Sequence, residues 1–190
     1  MNKIAIFASG SGTNAENIIK YFKNNKRIEV VLVLSNNKNA FVLERATNLK
    51  IETKVFNRST FNDSDEVIQL LKEKNIDFIV LAGFLWLIPK NLIFTFKNKI
   101  INIHPALLPK YGGKGMYGMH VHNAVINNGE KESGISIHNV NEKYDDGAII
   151  FQAKCNIEMN DSPESLAQKI HKLEYEHFPK VIEKWILASK

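Results

Sequence analysis

The first half of the chain alternates between short apolar runs and segments in which apolar residues recur every three or four positions. The apolar runs are continuous and rich in β-branched residues, which is typical of strands buried on both faces of a sheet. The segments between them indicate amphipathic helices, so the order of elements predicts βαβ units and a parallel sheet. The predicted strands are residues 3–8, 29–34, 53–56, 78–81 and 100–103, and the predicted helices are residues 15–22, 40–49, 65–74 and 91–96.

The second half begins with a loop rich in glycine and proline after Pro105. Further predicted elements are a helix at residues 120–127, strands at 135–140 and 148–156, and a long amphipathic helix at 163–187. Ser162 followed by Pro163 is typical of a capped helix start. The predicted fold class is α/β: a single Rossmann-like domain over residues 1–190 with a mostly parallel sheet flanked by helices, a late antiparallel strand pair and a long C-terminal helix.

Composition and charge favour a single-domain protein that binds small molecules over a nucleic-acid-binding, secreted or membrane protein. The chain has 190 residues, 44% of them hydrophobic and 24% charged, which suits one core. Its net charge is +5, but lysines and acids interleave, so we expect no nucleic-acid partner and a mild attraction for small anions. The start lacks a secretory leader, no run has membrane-spanning length, and Cys155 stands alone. We therefore expect a soluble, cytoplasmic protein without a membrane partner, as a monomer or weak homodimer.

The segment between the first strand and the first helix is Ser-Gly-Ser-Gly-Thr-Asn, residues 9–14. Glycines here would let backbone N–H groups turn toward an anion at the positive end of the helix, which predicts a phosphate cradle. Gly10, Gly12 and Ala15 also satisfy the dinucleotide fingerprint, but the second strand ends in Leu-Ser-Asn-Asn at 34–37 without the acid that binds a ribose 2′-OH. A tight turn would need the same small residues, so that alternative stays open.

Asn102 and His104 lie two residues apart at the end of an apolar strand, so their side chains share one side. Ligands gather at the carboxyl ends of strands in open parallel sheets. The NH₂ group of Asn102 and a protonated His104 could together stabilise a developing oxyanion, which is the chemistry of acyl transfer. A strand-end histidine bonded to the backbone would fit the same residues.

Two acids followed by glycine, Asp145-Asp146-Gly147, separate the late strands. A carboxylate brought near His104 would keep the imidazole protonated and relay the proton that an attacking amine loses. The same residues are also typical of a simple turn.

Metal and covalent chemistry are not expected. His120 and His122, with Cys155, raise the question of zinc, but residues two apart diverge on a helix and no Cys-x-x-Cys or His-Glu-x-x-His spacing adds ligands. The chain lacks a Gly-x-Ser-x-Gly elbow, and Cys155 falls within a predicted strand, which disfavours a covalent nucleophile.

Five segments together resemble the phosphoribosylglycinamide formyltransferase family in order and spacing: residues 9–14, 81–84, 102–111, 120–122 and 145–147. The resemblance covers nearly the whole chain. It implies an enzyme of de novo purine (IMP) biosynthesis that moves a formyl group from 10-formyltetrahydrofolate, its co-substrate, to the amine of N1-(5-phospho-D-ribosyl)glycinamide. The implied route is direct amine attack through a tetrahedral intermediate, without a metal.

The resemblance also implies residue roles. His104 would be the proton donor, Asn102 would position the formyl oxygen, and Asp145 would raise the pKa of His104. The implied ligands of the glycinamide ribonucleotide are Gly12, Thr13, Asn14, His171, Lys172, Leu173 and Glu174, and those of the folate are Leu85, Trp86, Leu87, Ile88, Asn102, Asn141, Glu142, Lys143, Tyr144 and Asp145. Composition alone would instead assign residues 84–88 to the core and Glu174 to a solvated helix face.

Three positions depart from the family pattern. Ser64 or Asp65 stands where relatives carry an arginine that meets the folate tail, and Arg58 is expected to replace it. The glycine-rich loop 112–118 is longer and suits a mobile lid. Asp146 stands where a second glycine is common, and its charge would raise the apparent pKa of the acid pair.

Two enzymes with the same motif carry additional domains. The methionyl-tRNA formyltransferase adds a C-terminal barrel and the formyltetrahydrofolate hydrolase adds an N-terminal regulatory domain, so neither is expected from this chain. A non-catalytic nucleotide-binding regulator could use the same fold, but it would not need Asn102, His104 and Asp145 together.

Overall fold

The computed structural model describes residues 1–189 and contains a seven-stranded sheet. The strands are β1 (Asn2–Phe7), β2 (Ile28–Ser35), β3 (Glu52–Val55), β4 (Phe78–Leu81), β5 (Ile100–His104), β6 (Glu132–Asn139) and β7 (Ile149–Asn156). The helices are α1 (Thr13–Phe22), α2 (Phe41–Asn48), α3 (Arg58–Asn62), α4 (Glu66–Glu73), α5 (Lys90–Thr95), α6 (Met119–Asn127) and α7 (Pro163–Ala188).

The strand order is β3-β2-β1-β4-β5-β6-β7. The first five strands are parallel, whereas β6 and β7 run antiparallel to their neighbours. The predicted α/β fold class is therefore confirmed. The sequence prediction missed the short helix α3, and Lys190, the last residue of the predicted 1–190 domain, lies outside the described residues. The assignment of a single domain stays a prediction.

Helices cover both faces of the sheet. Helices α1, α2, α6 and α7 pack in one apolar cluster, and α3, α4 and α5 pack in the other. In β1 the side chains of Ile4 and Ile6 enter the first cluster and those of Ala5 and Phe7 the second, and all four are fully buried. A strand with no solvated face must be apolar throughout, which is why its sequence shows no alternation.

The antiparallel strand β6 brings its own polar side chains beside the end of β5. His138 pairs with Asn102, and Ser136 pairs with His104. Ser136 Oγ accepts a 2.9 Å hydrogen bond from the Leu108 N–H and donates one of 2.7 Å to the Ala106 carbonyl. These buried bonds fix the loop that follows His104.

The long helix α7 begins with the predicted cap. Ser162 Oγ accepts a hydrogen bond of 3.2 Å from the Ser165 N–H, and Ser165 Oγ accepts one of 2.9 Å from the Ser162 N–H. This reciprocal capping box satisfies backbone donors that the first turn leaves free. Within residues 1–189, none of the helices combines the length and the apolar character needed to cross a bilayer.

Candidate active site

A cavity of about 620 Å³ lies at the carboxyl ends of β1, β4 and β5. Its floor is formed by the loops that leave these strands and by the end of β5. The walls are the glycine-rich loop after β5, the loop that connects β6 to β7, and one face of α7. The location is the one expected for a ligand site in an open α/β sheet.

The loop after β1 supplies a helix N-terminus to one end of the cavity. Gly12 precedes α1 with a φ of 75°, and no side chain caps the helix. A Cβ at this position would overlap Val42, so only glycine fits. The carbonyls of Gly10 and Ser11 accept hydrogen bonds of 3.1 Å from the Val42 N–H and 2.9 Å from Arg45 Nε. The first N–H groups of α1 stay free of intrahelical acceptors, which is the arrangement that favours an anion at a helix N-terminus.

Glu174 joins this loop to α7. Its Oε2 accepts hydrogen bonds of 2.9 Å from Asn14 Nδ2 and 3.0 Å from His171 Nδ1, and the residue is only 5% exposed. The bond to Glu174 raises the pKa of His171, although burial opposes the shift. The expectation from composition that Glu174 lies on a solvated face is therefore wrong. His171 and Glu174 are three residues apart on α7, so both lie on the side of the helix that faces the cavity.

Asp145 is the centre of a polar cluster in the middle of the cavity. Its Oδ2 lies 3.5 Å from His104 Nδ1 and accepts a 2.9 Å hydrogen bond from the Gly113 N–H. Its Oδ1 lies 3.4 Å from Asn102 Nδ2 and 3.6 Å from His138 Nε2. The backbone of Asp145 is left-handed, with a φ of 52°, a conformation that aspartate tolerates better than most residues.

The hydrogen bond between His104 and Tyr111 fixes the tautomer of the histidine. Nε2 lies 2.7 Å from the carbonyl oxygen of Tyr111, which can only accept, so Nε2 carries a proton and Nδ1 is the atom that titrates. Burial lowers the pKa of His104, and the nearby Asp145 carboxylate raises it by a smaller amount. The contribution of Asp145 has the expected sign, but the net shift of the pKa of His104 is downward.

Burial alone would raise the pKa of Asp145. The proximity of His138, the charge of His104 and the Gly113 N–H outweigh burial, so the pKa of Asp145 is lowered overall. The carboxylate is thus ionised beside two imidazoles.

His138 orients Asn102. Its Nδ1 lies 2.8 Å from the carbonyl oxygen of Asn139, so this nitrogen carries the proton and Nε2 is an acceptor when the ring is neutral. Asn102 Nδ2 donates to that Nε2 at 3.0 Å. The other hydrogen of the amide makes only the long contact with Asp145, so it is the hydrogen available to a ligand oxygen.

An aromatic cluster supports the neighbouring loop after β4. Phe84 packs edge-on against Phe61 and Trp86, and the guanidinium of Arg58 lies 5.1 Å from the centre of the Trp86 ring. Ser9 Oγ accepts a 3.0 Å hydrogen bond from the Leu85 N–H, which ties this loop to the loop after β1.

Ten of the residues proposed from sequence line the cavity, namely Gly12, Thr13, Asn14, Leu85, Asn102, His104, Tyr144, Asp145, His171 and Glu174. Others do not border it: Trp86, Leu87, Ile88, Asn141, Glu142, Lys143, Lys172 and Leu173. The physical reasons differ. Ile88 is buried in the second core cluster, Leu173 packs against the first, and the side chain of Lys172 is exposed.

Sequence reasoning missed two histidines. His138 gave no local signal, because only the antiparallel register sets it opposite Asn102. His122 belongs to the family-like segment 120–122 and was considered as a metal ligand, but it was given no role at the site; it is buried and lines the cavity. Within residues 1–189, no group of three His, Cys, Asp or Glu side chains is placed to hold a metal ion.

Gly147 closes the loop between β6 and β7. A Cβ there would overlap the carbonyl of Asn139 and lie 3.4 Å from His138 Nδ1. The need for glycine at this position therefore comes from packing.

Comparison with known proteins identifies the family of the chain. The family model described as formyl transferase matches residues 2–182. A chloroplastic phosphoribosylglycinamide formyltransferase of Arabidopsis thaliana is 39% identical over 186 residues, which is 95% of this chain and 64% of that protein. The phosphoribosylglycinamide formyltransferase of Haemophilus influenzae is 37% identical and covers 100% of this chain and 89% of its own length.

Solved structures of similar proteins have the same fold. The crystal structure of phosphoribosylglycinamide formyltransferase from Bacillus halodurans superposes with a TM-score of 0.87 at 38% identity, covering 100% of this chain and 96% of that one. The chain spans 64% and 60% of the length of two curated plant relatives. With a family model that matches almost its full length, the chain belongs to the formyl transferase family.

Proposed function

We propose that this protein transfers the formyl group of 10-formyltetrahydrofolate to the amine of glycinamide ribonucleotide, a step of de novo purine biosynthesis. The observation that carries the proposal is the approach of Asp145 to both His104 and Asn102 inside a cavity that also contains a helix N-terminus. The relatives named phosphoribosylglycinamide formyltransferase support the choice of acceptor.

The acceptor fits the end formed by α1 and α7. Its phosphate would bind the free N–H groups at Thr13 and Asn14. Its ribose hydroxyls would meet Glu174, whose Oε2 already takes two hydrogen bonds, and His171. A buried carboxylate is a strong acceptor for hydroxyl groups.

The folate fits the other end of the cavity. Phe84, Leu85 and Tyr144 line it and offer apolar surface to a flat ring. The backbone of residues 85–88, of which Leu85 borders the cavity, would bind the polar edge of the pterin. The loop from Asn141 to Asp145 would cover the ring. Arg58, held over Trp86, would meet the acidic tail.

The chemistry follows from the cluster around Asp145. The amine attacks the formyl carbon, and negative charge develops on the formyl oxygen of the tetrahedral intermediate. The free N–H of Asn102 and a proton on Nδ1 of His104 stabilise this charge. The ionised Asp145 favours that protonated form of His104, against the effect of burial.

The protons balance without a further reactant. The attacking nitrogen loses one proton and the leaving folate nitrogen gains one, while the C–N bond to the folate breaks. His104 Nδ1 and Asp145 lie 3.5 Å apart and offer the route for that proton.

One assay tests the proposal. The protein is incubated with 10-formyltetrahydrofolate, and release of tetrahydrofolate is measured with and without glycinamide ribonucleotide. We expect release to require the ribonucleotide, whereas release with water alone would indicate a hydrolase. His104→Ala should lower kcat by about 100- to 10,000-fold. Near-normal turnover of that variant would overturn the assignment of His104.

Cytoplasmic location, a monomer or weak homodimer, and independence from nucleic acid are further parts of the proposal. The unpaired thiol of Cys155 suits a reducing compartment.

A further inference from the structure

His122 is a buried histidine of the cavity that the proposed chemistry does not use. It is the fourth residue of α6, is only 3% exposed and lines the cavity. Its Nδ1 is buried without a hydrogen-bond partner. His104, His138 and His171 each have at least one such partner.

An unpaired imidazole in a protein wall carries an uncompensated desolvation cost. An apolar side chain of similar size would avoid that cost, so packing alone does not explain a histidine here. A histidine that borders a cavity without a partner for its buried nitrogen is explained when a ligand binds the ring at its other nitrogen. With Nδ1 enclosed by protein, Nε2 is the nitrogen left to face that ligand.

The charged residues near His122 indicate which part of the cavity it faces. The ring lies within electrostatic reach of Glu174 and His171 at the ribose end and of His104 at the reacting end. Burial lowers the pKa of His122, and the charge of His171 lowers it further. A neutral imidazole has one N–H group to donate. His122 thus offers a neutral donor between the ribose end and the reacting end.

We propose that His122 donates a hydrogen bond to the carbonyl oxygen of the acceptor's glycinamide unit. The inference rests on the proposed function, since that unit is the short link between the ribose and the reactive amine. Its carbonyl is the strongest acceptor in the link. A neutral donor also suits a site that must admit an amine, because it does not repel the protonated form.

The test uses a stable substrate pair: carbocyclic glycinamide ribonucleotide and its thioamide analogue, in which a weakly accepting sulfur replaces the glycinamide carbonyl oxygen and the link stays neutral. Binding of each to the full chain is measured by calorimetry without folate. Wild type should bind the analogue about 3- to 10-fold more weakly, the range of one neutral hydrogen bond. His122→Leu should bind the carbonyl form weakly by the same factor and should not distinguish the two compounds.

Further measurements separate binding from folding. His122→Leu should leave the KM for 10-formyltetrahydrofolate unchanged and its thermal unfolding temperature equal to that of wild type or higher. His122→Gln, which restores an N–H donor, should recover part of the preference for the carbonyl form. His177→Leu is the matched control, since His177 packs on Phe151 and does not line the cavity.

Two failures are distinguishable. Wild type that binds both compounds equally, or His122→Leu that keeps the preference, overturns the role of His122 while formyl transfer persists. Wild type that transfers no formyl group to glycinamide ribonucleotide overturns the proposed function itself. If His122→Leu does not fold, His122→Phe takes its place in the same comparison, and a preference that it keeps overturns the role of His122.

Discussion

Asn14 Nδ2 donates a 2.9 Å hydrogen bond to Glu174 Oε2 and so connects the loop after the first strand with the last helix, 160 residues later. The bond keeps the proposed phosphate end and ribose end at a fixed separation. Because the same Oε2 also holds His171, one carboxylate orients two ligand groups.

Glu174→Gln should therefore weaken acceptor binding. Loss of the charge weakens hydrogen bonds whose strength depends on it, which corresponds to about 10- to 100-fold in Kd. The pKa of His171 should fall, because Glu174 raises it. Calorimetry and histidine NMR measure the two effects, and the exposed Glu176→Gln on the same helix is the control. Weak binding of folate instead would contradict the assignment of this end.

Gly12→Ala should reduce both stability and acceptor affinity. The left-handed φ and the overlap with Val42 force the loop to shift, at a cost of about 1–3 kcal/mol. Gly10→Ala is a demanding control, because a Cβ there meets nothing within 4 Å. Urea unfolding and phosphate binding of both variants measure the difference. Equal behaviour of the two variants would argue against a fixed anion cradle.

Asp145→Asn should lower the pKa of His104 below its wild-type value, since the Asp145 charge raises that pKa. The amide keeps an acceptor for the Gly113 N–H, so the loop is retained. Turnover should drop by about 100-fold or more. NMR titration of His104 measures the shift. Asp146→Asn is the control, because its carboxylate contacts Asn141 and Lys143. An unchanged titration of His104 in Asp145→Asn would exclude the electrostatic role.

Acid should destabilise the protein through its buried histidines. The pKa values of His104 and His122 lie below 6.5 in the folded state. The unfolded chain then binds more protons between those values and pH 6.5, so the free energy of unfolding rises with pH across this window. His171 acts in the opposite sense, because its pKa is raised. His122→Leu should flatten the rise in urea unfolding from pH 5 to 7, and identical slopes would contradict the burial of a neutral ring.

Arg58→Ala should raise the KM for a folate with its glutamate tail by about 3- to 10-fold. A folate without the glutamate should show no change, because it has no carboxylate for the guanidinium. Arg27→Ala, whose side chain pairs with Glu183, is the control. If Arg58→Ala affects both folates equally, Arg58 acts through its packing on Trp86.

The parallel half of the sheet could be predicted because burial on both faces produces uninterrupted apolar runs such as residues 78–81. The helix Arg58–Asn62 was missed because five residues are too few to show a period, although Asn57 caps it through a 2.8 Å hydrogen bond from the Thr60 N–H. The predicted start of the sixth strand was three residues late, because Glu132, Ser133 and Gly134 are polar or small. Gly134 is required there, since a Cβ would overlap the Ala153 carbonyl.

Some residues of the candidate site could also be predicted from a local sequence pattern, and others could not. Asn102 and His104 could be found because they share one side of one strand. His138 depends on strand register, and the burial of Glu174 depends on how α7 packs, so neither is visible in a local pattern. The direction of the net pKa shift of His104 depends on how deeply the ring is buried, which spacing cannot indicate.

The contact of Gly147 with the backbone next to His138 limits how this protein can change its donor. Side chains at 141–144 can vary while the chain path and the Asp145 carboxylate are kept. Any side chain at 147 would instead push on the strand that orients Asn102, so a change meant for donor recognition would also disturb the amide that faces the reacting oxygen. Engineering of donor preference should therefore leave residue 147 untouched and select variation on its N-terminal side.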